Sequence, residues 1–128
     1  MLDECVVTNE KLNTLLEEWT DRLKLQEWNI TVGIYRESEF YEQGNMGENT
    51  FQRECARSTI KILDHCDYPV DTKFLQNMEK TLVHELLHLK FCYFEPEEDT
   101  IAHEMWHRAI ETLSETLVKA KYEKPKRE

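Results

Sequence analysis

Apolar and polar positions along the chain alternate with two different periods, and these divide it into a helix, two strands and two further helices. Leu12, Leu15, Leu16, Trp19 and Leu23 recur at three- and four-residue spacing with Glu10, Glu17, Glu18, Asp21 and Lys24 between them, which predicts an amphipathic packing helix over about 9–25 capped by Thr8 or Asn9. Trp28, Ile30, Val32 and Ile34 then alternate with Asn29, Thr31 and Gly33, the two-residue period of a half-buried strand. Residues 37–50 contain Gly44, Asn45, Gly47 and Asn49 and read as a loop or wide turn. The stretch 51–63 ends in Ala56, Ser58, Ile60 and Ile62 alternating with Arg57, Thr59 and Lys61, a second strand. Asp71 is expected to cap a helix over about 72–91, with Phe74, Leu75, Met78 and Leu82 in the core. Acidic residues around Pro96 mark a connection and suit the N-terminus of a last helix over about 99–120. The fold expected is α+β: an N-terminal helix, a small mainly antiparallel sheet, and two C-terminal helices packed as a hairpin. It forms one domain over 1–120, followed by a charged flexible tail over 121–128.

The first of the two C-terminal helices carries Val83-His84-Glu85-Leu86-Leu87-His88-Leu89, an HExxH motif. Residues four apart share a helix face, so His84 and His88 can offer two imidazoles to one metal ion while Glu85 stands beside them. Imidazoles binding zinc (Zn2+), with a glutamate to take the proton of a water, are half of a hydrolase site. Leu82, Val83, Leu86, Leu87 and Leu89 make this helix apolar on several sides, and buried histidine and glutamate require a partner, which a metal supplies.

Two ligands on one helix do not complete a zinc site, so a third must come from another element. A second HExxH, His103 to His107, is followed only by Glu111 and Glu115 on its own helix and by Glu123, so it lacks such a partner. The first motif has one ready, because His103, His107 and Glu111 lie four apart along a single stripe of the last helix. With the turn centred near residues 95 and 96, residue 86 lies opposite about 105. His103 and His107 are then nearest the motif, and Glu111 is about one turn, roughly 5–6 Å, farther on. The first reading is a site of His84, His88 and His107 supported by Glu111; the second has Glu111 as the ligand. His103, amid Trp106, Ile110, Leu113 and Leu117, reads as a hydrogen-bonded core histidine, and Glu104 as a solvated face residue.

Composition narrows the partners. A third of the 128 residues are charged and the net charge is −10, with Lys and Arg clustered only at the extreme C-terminus, which argues against a nucleic-acid partner. No apolar run is long enough for a membrane span and the first residues are acidic, so a cytoplasmic protein is expected, and it is expected to be a monomer. Cys5, Cys55, Cys66 and Cys92 form no CxxC pair and read as unpaired thiols, with Cys92 to watch because it lies four residues after His88. Asp64-His65-Cys66-Asp67-Tyr68-Pro69 has metal-binding residue types but reads first as a turn.

HELLHLKF, a later helix with Ile110-Glu111-x-Leu113-Ser114-x-x-Leu117-Val118, and a preceding helix and Trp28-x-Ile30-x-Val32 strand together resemble the small phage-type metallopeptidases. These are similar to minimal gluzincins, the reduced thermolysin-like zincins. The resemblance spans most of residues 9–120 and implies a zincin-like fold and a zinc-dependent peptidase acting on a peptide or protein substrate. In the gluzincin pattern the later helix carries E-x-x-x-D, the glutamate on zinc and the aspartate supporting a ligand histidine. Here His107 stands where that glutamate is expected and Glu111 where the aspartate is. The resemblance also implies Glu85 as general base and the strand around 55–61 as a substrate-docking edge. Tyr68, Tyr93 and His65 are open choices as oxyanion donor. The rival reading is a non-catalytic binding module folded by zinc, in which Cys92 or His103 supplies a fourth ligand. A DNA-associated protease of the SprT-like kind fits less well, because the chain is acidic and has no zinc ribbon.

Overall fold

The computed structural model describes residues 2–123. Helix α1 spans Asn9–Arg22, and Thr8 caps it by accepting a hydrogen bond from the Lys11 N–H. Its buried face, Leu12, Leu15, Leu16 and Trp19, is the one the three-four spacing marks. Strands β1 (Asn29–Tyr35), β2 (Gly47–Gln52) and β3 (Arg57–Leu63) form one sheet in the order β1-β3-β2. Helices α2 (Met78–Lys90) and α3 (Ile101–Tyr122) follow, joined by a short 3-10 turn at Cys92–Phe94.

The α+β architecture and the C-terminal helix pair are as expected, but several local readings change. The sheet is mixed: β1 runs parallel to β3, with Ile30 opposite Ser58 and Ile34 opposite Ile62, whereas β2 runs antiparallel to β3. Strand β2, whose residues 47–50 read by sequence as loop and 51–52 as the start of the second strand, forms because β3 pairs with it along its whole length, not because of its own composition. Helix α2 begins six residues later than expected. Its cap is Asn77, which accepts from the Lys80 N–H at 2.8 Å, and not Asp71. Phe74 and Leu75, expected in the core, are 67% and 53% exposed. Of the expected tail, Lys121 and Tyr122 complete α3, and residues 124–128 lie outside the described residues.

One face of the sheet, through Ser58, Ile60 and Ile62, is buried, and α1 and α2 pack against the sheet. Helix α2 is the centre of the molecule: Met78, Leu82, Val83, Leu86, Leu87 and Leu89 are all buried, and α1, β2, β3 and α3 all contact it. Its polar residues therefore sit at seams between elements, which is where a site can form. No described helix is long and apolar enough to cross a membrane.

Candidate metal centre

Helix α3 packs antiparallel on α2 and brings His107 against the motif. The imidazoles of His84, His88 and His107 offer ligand atoms that all lie within 4.8 Å of one another. The ring of His107 is 5.1 Å from that of His84 and 5.5 Å from that of His88, centroid to centroid. His84 and His88 turn their Nε2 atoms toward each other at 3.1 Å. Two imidazole nitrogens so placed either share a proton or point their lone pairs at a common cation. Burial, reinforced by the neighbouring His84 and His107, lowers the His88 pKa to about 4. Burial and His84 also lower that of His107. Both rings are therefore neutral near pH 7, the state a metal ligand needs.

Glu111 occupies the far side of His84. Its Oε2 lies 2.8 Å from His84 Nδ1, close enough for an ion pair but off the line of a good hydrogen bond, so that buried Nδ1 has no well-aligned partner. The other oxygen of Glu111 pairs with the Lys80 ammonium. The contact with His84 first, then Lys80, hold the Glu111 carboxyl down to about 2, so it stays ionised. A carboxylate behind a histidine whose other nitrogen faces a shared centre is the arrangement that fixes ring orientation in metal sites. Trp106 sets its ring edgewise to His88, centroids 5.1 Å apart.

Glu85 faces β2 at the same cleft as the three histidines and is only 8% exposed. Burial, then the charges of Glu48 and Glu111 opposing that of His84, raise its pKa to about 7. It borders an open cleft of about 540 Å³ between α2, α3 and β2, whose walls include all three histidines, Lys80, Glu111 and residues 45–49.

Other sequence candidates fall elsewhere. His103 turns to Glu95, 3.1 Å away, and is not part of the cluster. Cys92 is buried in the hydrophobic core. Glu104 is exposed. The 64–69 stretch is a turn in which Asp64 accepts from the Cys66 N–H and Asp67 binds Arg36 through both its oxygens. None of the three oxyanion choices lines the cleft: Tyr68 donates to the Phe74 carbonyl, His65 bonds Gln76, and Tyr93 lies under Arg53. The docking edge is also corrected. The strand around 55–61 is β3, paired on both sides and so without free main-chain groups, whereas β2 is the edge strand beside the cleft. Lys80, Gly47, Glu48 and Asn49 were not singled out by sequence, since nothing local marks a residue that reaches the motif only through sheet and helix packing.

Comparison of the chain with protein-family models, with curated proteins and with solved structures gave no match.

The donor set fits zinc. Three imidazoles come from two helices: His88 and His107 are held neutral, His84 has a carboxylate behind it, and His107 is exposed at the cleft so that one side stays open.

Proposed function

We propose that this chain is a zinc-dependent peptidase, with zinc held by His84, His88 and His107 and with Glu85 as general base. The observation that carries the reading is the convergence of three imidazoles beside a buried glutamate whose carboxylate accepts no hydrogen bond from any described residue, at the wall of an open cleft. A zinc ion bound there supplies a Lewis acid that polarises a peptide carbonyl and makes a water acidic enough to be deprotonated near neutral pH. Glu85, standing beside the ligand histidines at the cleft, would take the proton of the attacking water and pass it to the leaving amine. Glu111, kept ionised between Lys80 and His84, holds the His84 ring in place. A substrate peptide in extended form can add to the edge of β2, where main-chain hydrogen bonds give affinity without fixing sequence.

The rival module needs a fourth protein ligand to close the site. Cys92 lies in the core and His103 binds Glu95, which favours the enzyme. Four free thiols suit a reducing cytoplasm, and the monomer is the working unit of this reading. The likeness to phage-type metallopeptidases supports it through the sequence pattern alone.

The test is a peptide-library digest by wild type and Glu85→Gln at equal zinc content. Wild type is expected to cleave and the variant to lose a factor of about 10² to 10⁴ in rate. Equal cleavage by both, or none by zinc-loaded wild type on any peptide or protein tried, removes the enzyme reading.

A further inference from the structure

Helix α2 meets β2 beside Thr81 and Glu85. Asn49 donates its Nδ2 hydrogen bond to the Glu85 backbone carbonyl at 3.0 Å, and its own Oδ1 accepts from Ser58 Oγ at 2.7 Å. The amide is thus held from β3 and can present only its donor to the helix. Two residues earlier, Gly47 has no side chain where one would collide. A Cβ there would lie 2.5 Å from Thr81 Cγ2 and 3.1 Å from Glu85 Oε2. Thr81 cannot swing clear cheaply, since a β-branched side chain on a helix is confined at χ1 and its Oγ1 is bound to the Asn77 carbonyl at 3.1 Å. The same glycine therefore allows the strand to approach the helix and leaves free the volume beside the glutamate's carboxylate.

We propose that Gly47 and Asn49 of β2 are positioning residues for Glu85, Asn49 fixing its backbone and Gly47 reserving the space in which its carboxylate stands. The inference rests on the reading of Glu85 as the base. It adds that the base is set from the sheet edge, while the three histidines are set by the helix pair. The two halves of the site are then separable: a change at Gly47 disturbs the base without touching the metal ligands. It also explains why β2 follows no apolar alternation, because Gly47 and Asn49 are placed for contact with α2 and not for burial of side chains.

Gly47→Ala alone strains both contacts and can destabilise the fold, so the decisive variant is Gly47→Ala combined with Thr81→Ser. The serine removes the Cγ2 that the new methyl would strike and keeps the hydroxyl bound to Asn77, while the methyl still crowds Glu85 Oε2. Compared with Thr81→Ser alone, the double variant is expected to melt at a similar temperature, hold the same zinc and keep KM. Its kcat is expected to fall about 10²-fold, as for a catalytic group displaced by about 1 Å. Recovery of kcat together with the melting temperature would show that Gly47 serves only helix packing and would overturn the proposal. So would a fall in kcat that follows loss of zinc. If zinc-loaded wild type cleaves nothing, the peptidase reading fails by itself, and melting curves decide the geometry separately. Glu85→Ala should then relieve part of the cost of Gly47→Ala with Thr81 in place, whereas additive shifts would overturn the contact.

Discussion

Glu79 and Glu85 are buried glutamates of the same helix, six residues apart, and they are treated in opposite ways. Glu79, 1% exposed, is saturated: it accepts from Trp19 Nε1 at 2.6 Å, from Lys121 Nζ at 2.6 Å and from the Tyr122 hydroxyl at 2.5 Å. Its charge is matched, and it ties α1, α2 and the end of α3 together. The carboxylate of Glu85, 8% exposed, accepts no hydrogen bond from any described residue and borders a cleft. A folded chain gains nothing in stability from an unpaired buried carboxylate, since desolvation without a partner is a cost. The paired glutamate holds the fold, and the unpaired one is available for chemistry.

Four expected outcomes bear on this contrast, taken from the largest effect down. Glu79→Gln should destabilise by about 3 kcal/mol, the low end of the range for breaking a buried pair because Glu18 still reaches Lys121. Glu85→Gln should cost little or even stabilise. Chemical denaturation of the two variants checks both, and equal costs would erase the contrast. Zinc in hundredfold excess over its Kd should add about 2.7 kcal/mol to stability, read as a rise in melting temperature that a chelator reverses; a chelator that strips the metal and leaves the melting temperature unchanged counts against the site. Glu111→Ala should weaken zinc by about 10- to 100-fold, the usual cost of losing the group that orients a ligand histidine. Competition with a fluorescent chelator measures it, and a complete loss of zinc would instead make Glu111 a ligand.

The smallest effect is on the Glu79 side and depends on pH. Burial works against the Lys121 ammonium, but its hydrogen bonds to Glu79, Glu18 and Tyr122 raise its pKa above the ordinary 10.5. Burial and Glu79 raise that of Tyr122 above 10.0. Both groups hold their protons more tightly folded than unfolded, so their contribution is complete below about pH 10 and is lost as pH rises beyond it. Stability of the wild type should fall above that pH more steeply than stability of Lys121→Met with Tyr122→Phe. Parallel slopes would mean that the network is not the titrating element.

Much of the frame is legible locally. The three-four spacing after Thr8 yields α1 because an amphipathic face and a cap are properties of neighbouring residues. The HExxH spacing places His84 and His88 together for the same reason. Equidistance from the turn brings His107 opposite the motif, and it also leaves Glu111 one turn on, where it meets His84 from behind. What was not legible depends on distant partners. Residues 72–77 have helical spacing, yet Gln76 is drawn away by the Leu63 carbonyl and His65, and Asn77 bridges to Cys5, so the helix starts at Met78. Strand β2 and the roles of Gly47 and Asn49 exist only because β3 and α2 flank them. The middle position of β3, which denies it a docking role, follows from sheet order and not from its own alternation.

The claim beneath all of this is that His84, His88 and His107 form one metal centre, and zinc titration of the metal-free chain beside His107→Ala tests it most directly. The account predicts about one zinc per wild-type chain and loss of most of that affinity in His107→Ala, with the fold of the variant intact by circular dichroism. A wild type that takes up no zinc, or a His107→Ala variant that holds it as tightly as wild type, would contradict it.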